Sequence, residues 1–194
     1  MSENIHQGGW SMVEVLVSAL VLSIGVIGGA AMQLTALRTS QQSAFQTTAA
    51  ELAADLADRM RANSRVMGLR DRENPFLGID YSTSAEPAAA ERTCHGNAEC
   101  DARQLARFEI HEWQRRFQAA FPLARAVVCR DRMPWDGSAG GYKWECTAAA
   151  TEHAAAPLVI KIGWRARNPD GGPPGNDGKH FPPALALIVE PYVR

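Results

Sequence analysis

A long uncharged stretch near the amino terminus constrains this chain more than any other feature. From Val15 to Leu37 the sequence contains no charged residue, and aliphatic residues, alanine and glycine dominate it. A helix rises 1.5 Å per residue, so about 20 such residues cross the ~30 Å hydrocarbon core of a bilayer. The stretch therefore predicts a membrane-spanning helix, and the rest of the chain is expected to form a domain attached to that anchor.

The residues just before the apolar stretch limit what kind of anchor it is. The segment Gly8–Glu14 reads GGWSMVE, a glycine pair followed by an aromatic residue and then an acid. A secretory signal peptide does not fit, because residues 1–9 contain no Lys or Arg and the apolar run exceeds the usual ~7–15 residues. A plain single-span anchor explains the apolar run, but it explains neither the glycine pair nor Glu14. A carboxylate at bilayer depth costs about 2.5–3.5 kcal/mol or more, so such residues generally have a partner and a function.

The segment Gly8–Glu14 resembles the cleavage signature of type IV prepilins. The resemblance implies that a prepilin peptidase cuts between Gly9 and Trp10, N-methylates the new amino terminus at Trp10, and leaves the apolar stretch in the mature protein. It also implies that Glu14 pairs with the amino terminus of a neighbouring subunit during assembly. Most of these proteins have Phe where this chain has Trp10, and their leaders usually contain Lys or Arg. The alternative for Glu14 is a carboxylate that reaches toward the lipid headgroups.

The helical pattern continues beyond the anchor and becomes amphipathic. Apolar residues recur at steps of three and four, and they are Phe45, Ala49, Leu52, Leu56 and Met60. Because no proline occurs between Trp10 and Asn74, we predict one helix of roughly 55 residues that stops near Gly68. Its first half is apolar on all sides, and its second half is expected to pack one face on a globular domain.

The remainder of the chain predicts one further helix and a sheet. Asp101 and Gln104 have the spacing of a capping box, so a second helix is expected from there to about Ala120. Four runs have β-rich composition: Ala124–Arg130, Tyr142–Ala149, Leu158–Ala166 and Leu185–Val193. In the third run Ile160, Ile162 and Trp164 alternate with Lys161, Gly163 and Arg165, a pattern that predicts a half-buried antiparallel strand. The simplest assembly is a four-stranded meander on the amphipathic half of the long helix.

The predicted fold class is therefore α+β with a pilin-like layout. One long N-terminal helix, apolar and then amphipathic, packs on a C-terminal antiparallel sheet of about four strands with a second helix. We divide the chain into a prepilin leader at 1–9, the transmembrane and assembly half of the helix at 10–37, and a periplasmic head at 38–194.

Four cysteines, Cys94, Cys100, Cys129 and Cys146, all follow the anchor. An even number in an exported domain indicates two disulfides, for which sequence allows three pairings. We favour Cys94–Cys100 and Cys129–Cys146, because the second pair brackets an expected hairpin. A metal site at Cys94, His95 and Cys100 is disfavoured, because adjacent Cys and His cannot easily bind one tetrahedral ion.

Features further along the chain narrow the resemblance to minor pilins of the PilV type. They are the segment Ala53–Asn63, the Cys94–Cys100 pair before an aromatic-rich helix, and the segments Val128–Asp131 and Val159–Trp164. This resemblance implies a low-abundance subunit that primes pilus assembly in the inner membrane, lies at or near the pilus tip, and supports adhesion and twitching motility. The implied partners are the prepilin peptidase, the major pilin, other minor pilins, a tip adhesin and inner-membrane lipid.

Composition and motifs argue against several other functions. With 20 basic and 21 acidic side chains, the sequence indicates neither a nucleic-acid surface nor a polybasic membrane surface. It contains no phosphate-binding loop, dinucleotide fingerprint or nucleophile elbow, so we predict no catalysis, cofactor or small-molecule substrate. The glycine-rich segment Asp170–Gly178 has only two acids, and we interpret it as a turn rather than a calcium loop.

Two alternatives to a minor pilin remain open from the sequence. A minor pseudopilin of type II secretion has the same N-terminal cleavage signature and retained apolar helix, and it differs only in its partners. A membrane-tethered periplasmic enzyme or binding module would instead need a deep pocket with perturbed acids in its sheet.

Overall fold

The computed structural model describes residues 11–87, 89, 92–146, 156–165 and 181–189. Its helices are α1 (Met12–Ala62), α2 (Ser64–Met67) and α3 (Ala102–Ala120), with short 3-10 helices at Asp71–Glu73 and Pro75–Gly78. Its strands are β1 (Asp80–Ser82), β2 (Ala124–Arg130), β3 (Trp135–Asp136), β4 (Gly141–Tyr142), β5 (Leu158–Trp164) and β6 (Leu185–Val189). The predicted α+β layout, a long N-terminal helix with a four-stranded antiparallel sheet and a further helix, is confirmed.

The chain divides into two compact units, Met1–Ser43 and Ala44–Arg194, and α1 contributes residues to both. In the described part of the first unit, every large apolar side chain up to Leu37 is at least half exposed, from 53% at Val17 to 84% at Met12. Hydroxyl groups there donate to the carbonyl four residues earlier, as Ser18 does to Glu14. The described chain has one helix, α1, that is long and apolar enough to cross a membrane.

The second half of α1 supplies one wall of the core of the second unit. The predicted stripe is confirmed at Ala49, Leu52, Leu56 and Met60, which are buried together with Ala53 and Ala57. These side chains share a single core with α3 and with one face of the sheet.

The predicted end of the long helix near Gly68 is wrong, because α1 ends at Ala62. Asn63 leaves the helical conformation, and its side-chain amide donates a hydrogen bond of 3.0 Å to the carbonyl of Ala102 at the start of α3. The short helix α2 then begins at Ser64 and ends before Gly68. A tertiary contact to α3 therefore stops α1 six residues before the glycine that the sequence indicates.

The predicted second helix and its cap are confirmed. Asp101 accepts hydrogen bonds from the backbone amides of Arg103 and Gln104, and the Gln104 side chain accepts one from the amide of Asp101. This capping box satisfies amides that the first turn of α3 cannot pair internally. The apolar face of α3 is buried at Ala106, Phe108, Ile110, Trp113 and Phe117.

The four-stranded sheet is antiparallel and has the strand order β1-β2-β5-β6. In its centre Ala124 lies opposite Trp164 and Arg130 lies opposite Leu158, so β2 and β5 pair along their whole length. Strand β2 matches the predicted Ala124–Arg130, and β5 ends at Trp164, before the predicted end at Ala166. Strand β6 covers all the described residues of its predicted run, whose last four residues lie outside the described ranges.

One predicted strand is not part of this sheet. Of the run Tyr142–Ala149, Tyr142 pairs in the small β3-β4 ribbon, residues 143–146 are not in a strand, and 147–149 lie outside the described residues. The fourth strand is instead β1, which lies outside all four predicted β-rich runs. A three-residue strand with only Tyr81 buried has too short an alternation to be detected from sequence.

The prediction that β5 is half-buried is also wrong, because all seven of its residues are buried. Leu158, Ile160, Ile162 and Trp164 face the main core. Val159, Lys161 and Gly163 point to the opposite face of the sheet, which we call the outer face, and there the chain covers them.

Candidate functional site

Glu14 lies in the first turn of α1, and its side chain is exposed. Its backbone amide donates to Ser11 and its carbonyl accepts from Ser18, so its backbone groups are satisfied within the helix. Within the described part of the chain, the carboxylate itself has no ion pair or hydrogen bond. A carboxylate next to an all-round apolar surface is costly in lipid unless it pairs with a cation or reaches the headgroups.

Several sequence predictions fall on residues outside the described ranges. They are the cleavage point between Gly9 and Trp10, the methylation of Trp10 and the glycine-rich segment Asp170–Gly178. These predictions therefore stay predictions.

The outer face of the sheet contains a buried charge that the sequence analysis missed. Lys161 on β5 and Asp131 just after β2 are both 0% exposed, and the Lys161 Nζ lies 2.6 Å from an Asp131 Oδ2. The same ammonium donates to the carbonyl oxygens of Lys143 at 2.8 Å and of Glu145 at 2.7 Å. The ammonium therefore has two carbonyl acceptors and a carboxylate counter-charge at ion-pair distance, so the buried charge is balanced.

Asp131 is itself held in place by the backbone. Its other carboxylate oxygen accepts a hydrogen bond from the amide of Met133 at 3.0 Å, and its own amide donates to the carbonyl of Pro157 at 3.0 Å. The second contact joins the end of β2 to the residue before β5. The carboxylate therefore stays oriented toward Lys161 by main-chain bonds on both sides.

Trp144 closes the outer face beside Lys161. A Cβ added to Gly163 would lie 2.8 Å from the Trp144 ring and 2.8 Å from the carbonyl oxygen of Pro182, so only glycine fits there without a shift. The indole N–H of Trp144 donates to the carbonyl of Phe181 at 2.7 Å. Arg125 lies over the Trp144 ring at 4.8 Å and forms two hydrogen bonds to Asp80. The sequence signal for this close approach is Gly163 itself, a glycine at a position where the predicted strand was expected to face solvent.

Both disulfides lie in the second unit. The structure joins Cys94 to Cys100 and Cys129 to Cys146, which are the pairs that we favour from the sequence. The second bond links β2 to the segment whose carbonyls bind Lys161, and it brackets the β3-β4 ribbon. With Cys94 and Cys100 bonded to each other, they are not thiolate ligands, and the described residues contain no group of His, Cys, Asp and Glu that could hold a metal ion.

A charged cluster lies between α1 and α3. Asp55 pairs with Arg59 one turn away and with Arg116 on α3. Burial alone would raise the pKa of Asp55, but hydrogen bonds from the two arginines outweigh it, and the pKa is lowered. Burial raises the pKa of Glu109; the charge of Arg59 opposes this rise and the charge of Asp55 adds to it. One carboxylate oxygen of Glu109 is buried without a hydrogen bond among the described residues. This cluster can therefore make stability depend on pH.

A comparison with models of protein families supports a pilin. The model of the family described as Tt1218-like, type IV pilin Tt1218, matches residues 31–111, which is less than half of the chain. Neither the curated proteins nor the solved structures contain a match to this sequence. The matched residues begin inside the apolar stretch and end within α3, so they do not include the Gly8–Glu14 segment. The match supports a type IV pilin independently of that segment.

Proposed function

We propose that this chain is a minor pilin of the PilV type, a structural subunit that primes assembly of a type IV pilus. The observation that carries the proposal is the pilin-family match over residues 31–111. The match includes the second part of α1, the helix whose first part has exposed apolar side chains and Glu14 in its first turn. An exposed apolar helix of this length needs lipid or other helices around it, and pilin assembly provides both in turn. A structural role also agrees with the family, since pilins are subunits rather than enzymes.

In this proposal the chain has three parts. The leader, 1–9, is removed by a prepilin peptidase that cuts after Gly9 and N-methylates Trp10. Residues 10–37 hold the subunit in the inner membrane before assembly and pack against other subunits afterwards. Residues 38–194 form the periplasmic head, and two disulfides in the head agree with that oxidising compartment.

Glu14 would guide the subunit into register. Its carboxylate has no cation within the described chain, and the methylated amine at Trp10 of a neighbouring subunit would supply one. Two unpaired charges in lipid are each costly, so their pairing favours one helix register over its neighbours. The partners are then the major pilin, other minor pilins and a tip adhesin, and the outcome is adhesion and twitching motility.

The direct experiment is to determine the amino terminus of the mature protein. Mass spectrometry of the protein from cells with an active prepilin peptidase should give a chain that starts at methylated Trp10. The matched control is a peptidase-deficient strain, in which the chain should start at Met1. A chain that starts at Met1 in both strains would refute the processing step and the pilin assignment with it.

A second experiment tests the role of Glu14. The variant Glu14→Gln keeps the size of the side chain and removes its charge, and it should lose most co-purification with the other minor pilins. The control is Ser18→Ala one turn later, where the hydroxyl bonds only within the helix and recruitment should stay normal.

Deleting the gene separates the minor pilin from the pseudopilin alternative. The proposal expects loss of twitching and of surface pili with normal protein secretion. Loss of secretion with intact pili would assign the chain to type II secretion instead.

A further inference from the structure

The buried ammonium of Lys161 and the Cys129–Cys146 disulfide act on the same piece of chain. The Lys161 ammonium donates to the carbonyls of Lys143 and Glu145 and forms an ion pair with Asp131. Glu145 directly precedes Cys146, which is bonded to Cys129 on β2. Residues 143–146 are not part of a strand, so the sheet ladder does not hold them in place.

The segment is held on one side by the disulfide and on the other by Lys161 and by the contacts of Trp144 to Gly163, Phe181 and Arg125. The amide of Lys143 also donates to the carbonyl of Pro134 beside the β3-β4 ribbon. If the segment left the outer face, the Lys161 ammonium and Asp131 would stay together with two acceptors missing. A buried ammonium with missing acceptors is strongly unfavourable, so the open state would have to admit water to Lys161.

We propose that Lys161 and the Cys129–Cys146 disulfide form one redox-sensitive latch over the outer face of the sheet, here called the outer-face latch. With the disulfide formed, residues 143–146 stay on the outer face and complete the shell of the Lys161 ammonium. With the disulfide reduced, the segment opens and Lys161 becomes accessible to solvent. The pilin head therefore reaches its closed form only after export to an oxidising compartment, and the latch itself does not depend on the assembly role.

Coupling between the two parts is reciprocal. If the disulfide favours the closed ammonium shell, then the shell must favour the disulfide by the same factor. In physical terms, the shell holds Cys146 near Cys129 and raises the effective concentration of one thiol at the other. Removing the Lys161 charge should therefore make this disulfide easier to reduce at equilibrium.

The first experiment measures the accessibility of Lys161 by amine labelling. The full chain in detergent micelles is pulsed with an acetylating succinimidyl ester, and modification of Lys161 is read by peptide mass spectrometry. The double variant Cys129→Ser/Cys146→Ser should label Lys161 at least tenfold faster than the unchanged protein. The matched control is Cys94→Ser/Cys100→Ser, which removes the other disulfide and should leave Lys161 labelling unchanged.

The second experiment keeps all cysteines and so remains informative if the first variant does not fold. Lys161→Met and the unchanged protein are equilibrated with mixtures of a dithiol and its cyclic disulfide. In the reaction, the dithiol reduces the protein disulfide to two thiols and itself becomes cyclic, so two electrons and two protons are transferred. For Lys161→Met, the ratio of dithiol to cyclic disulfide that half-reduces Cys129–Cys146 should fall at least tenfold. The ratio for Cys94–Cys100 in the same molecules should not change.

Two results would overturn the outer-face latch. One is unchanged Lys161 labelling in a Cys129→Ser/Cys146→Ser chain that has the circular dichroism of the unchanged protein. The other is an unchanged reduction midpoint of Cys129–Cys146 in Lys161→Met. Either result can occur in a chain that is processed at Gly9 and assembles normally, so failure of the latch is distinguishable from failure of the proposed function.

Discussion

The indole N–H of Trp113 donates a hydrogen bond to the backbone carbonyl of Leu52 across 2.8 Å, and both residues are buried between α3 and α1. The Trp113 ring also stacks on Phe117 with centroids 5.0 Å apart. The hydrogen bond joins the amphipathic half of α1 to α3, and the stacking holds the Trp113 ring against Phe117 one turn further along α3. Leu52 lies within the residues that match the pilin family, 31–111, and Trp113 lies just beyond them.

Replacing Trp113 by Phe should destabilise the head by about 1.5–3 kcal/mol, because the change removes the hydrogen bond and leaves a cavity. The loss is measurable as a lower urea midpoint of the full chain in detergent micelles. The matched control is Trp135→Phe, at a tryptophan that is 51% exposed, where the change should stay within about 0.5 kcal/mol. Equal effects of the two substitutions would contradict the assignment of Trp113 to the helix contact.

Replacing Gly163 by Ala should destabilise the head by about 1–3 kcal/mol, because the new Cβ would overlap Trp144 and the main chain at Pro182. The expected sign is opposite to the usual stabilising effect of alanine over glycine in regular structure. Gly78→Ala is the matched control, since an added Cβ there meets nothing within 4 Å. Thermal unfolding of both variants tests the prediction, and a neutral Gly163→Ala would show that the outer face is not tightly covered.

Asp101→Ala should cost about 1 kcal/mol, within the ~0.5–2 kcal/mol that loss of a helix N-cap usually costs. The carboxylate accepts from the amides of Arg103 and Gln104 at 2.8 Å, and alanine would leave both without a partner in α3. Glu99→Ala, an exposed acid two residues earlier, should have no measurable effect. Chemical denaturation at neutral pH gives both values, and a cost at Glu99 equal to that at Asp101 would argue for a general charge effect.

The carboxyl groups of Glu109 and Asp55 should give opposite pH dependences. Because burial raises the folded-state pKa of Glu109 above its ordinary 4.5, the folded chain keeps this proton to higher pH than the unfolded chain. Its ionisation therefore destabilises the fold as pH rises through that value. Relative to the unchanged protein, Glu109→Gln should gain stability as pH rises above the ordinary glutamate pKa of 4.5.

Asp55 has the opposite sign. Burial raises its pKa, yet the hydrogen bonds from Arg59 and Arg116 lower it overall below the ordinary 3.8. Its contribution to stability is present above that value and is lost as pH falls through the folded-state pKa. Asp55→Asn should therefore be most destabilising near neutral pH and least so in acid. Urea midpoints at several pH values test both variants, and parallel pH curves for the two would contradict the assignment.

The regular parts of this fold follow from local sequence. The apolar stretch, the three- and four-residue steps from Ala49 to Met60 and the Asp101 capping box depend on neighbours only a few residues apart, and each appears as predicted. The pattern of β2 is similarly clear. These signals are readable because helix and strand periods repeat over several residues within one segment.

The sequence by itself determined an exposed apolar helix with an acid at its start, an amphipathic continuation, and a second capped helix beside a sheet. Only the tertiary structure decided where α1 ends, that β1 rather than residues 142–146 pairs with β2 in the sheet, and that Lys161 is buried. The end of α1 depends on Asn63 reaching Ala102, and the burial of Lys161 depends on Asp131 and on carbonyls at 143 and 145. Such contacts join residues distant along the chain, and whether a charge faces water or a buried carboxylate depends on what folds over it, which no local pattern encodes.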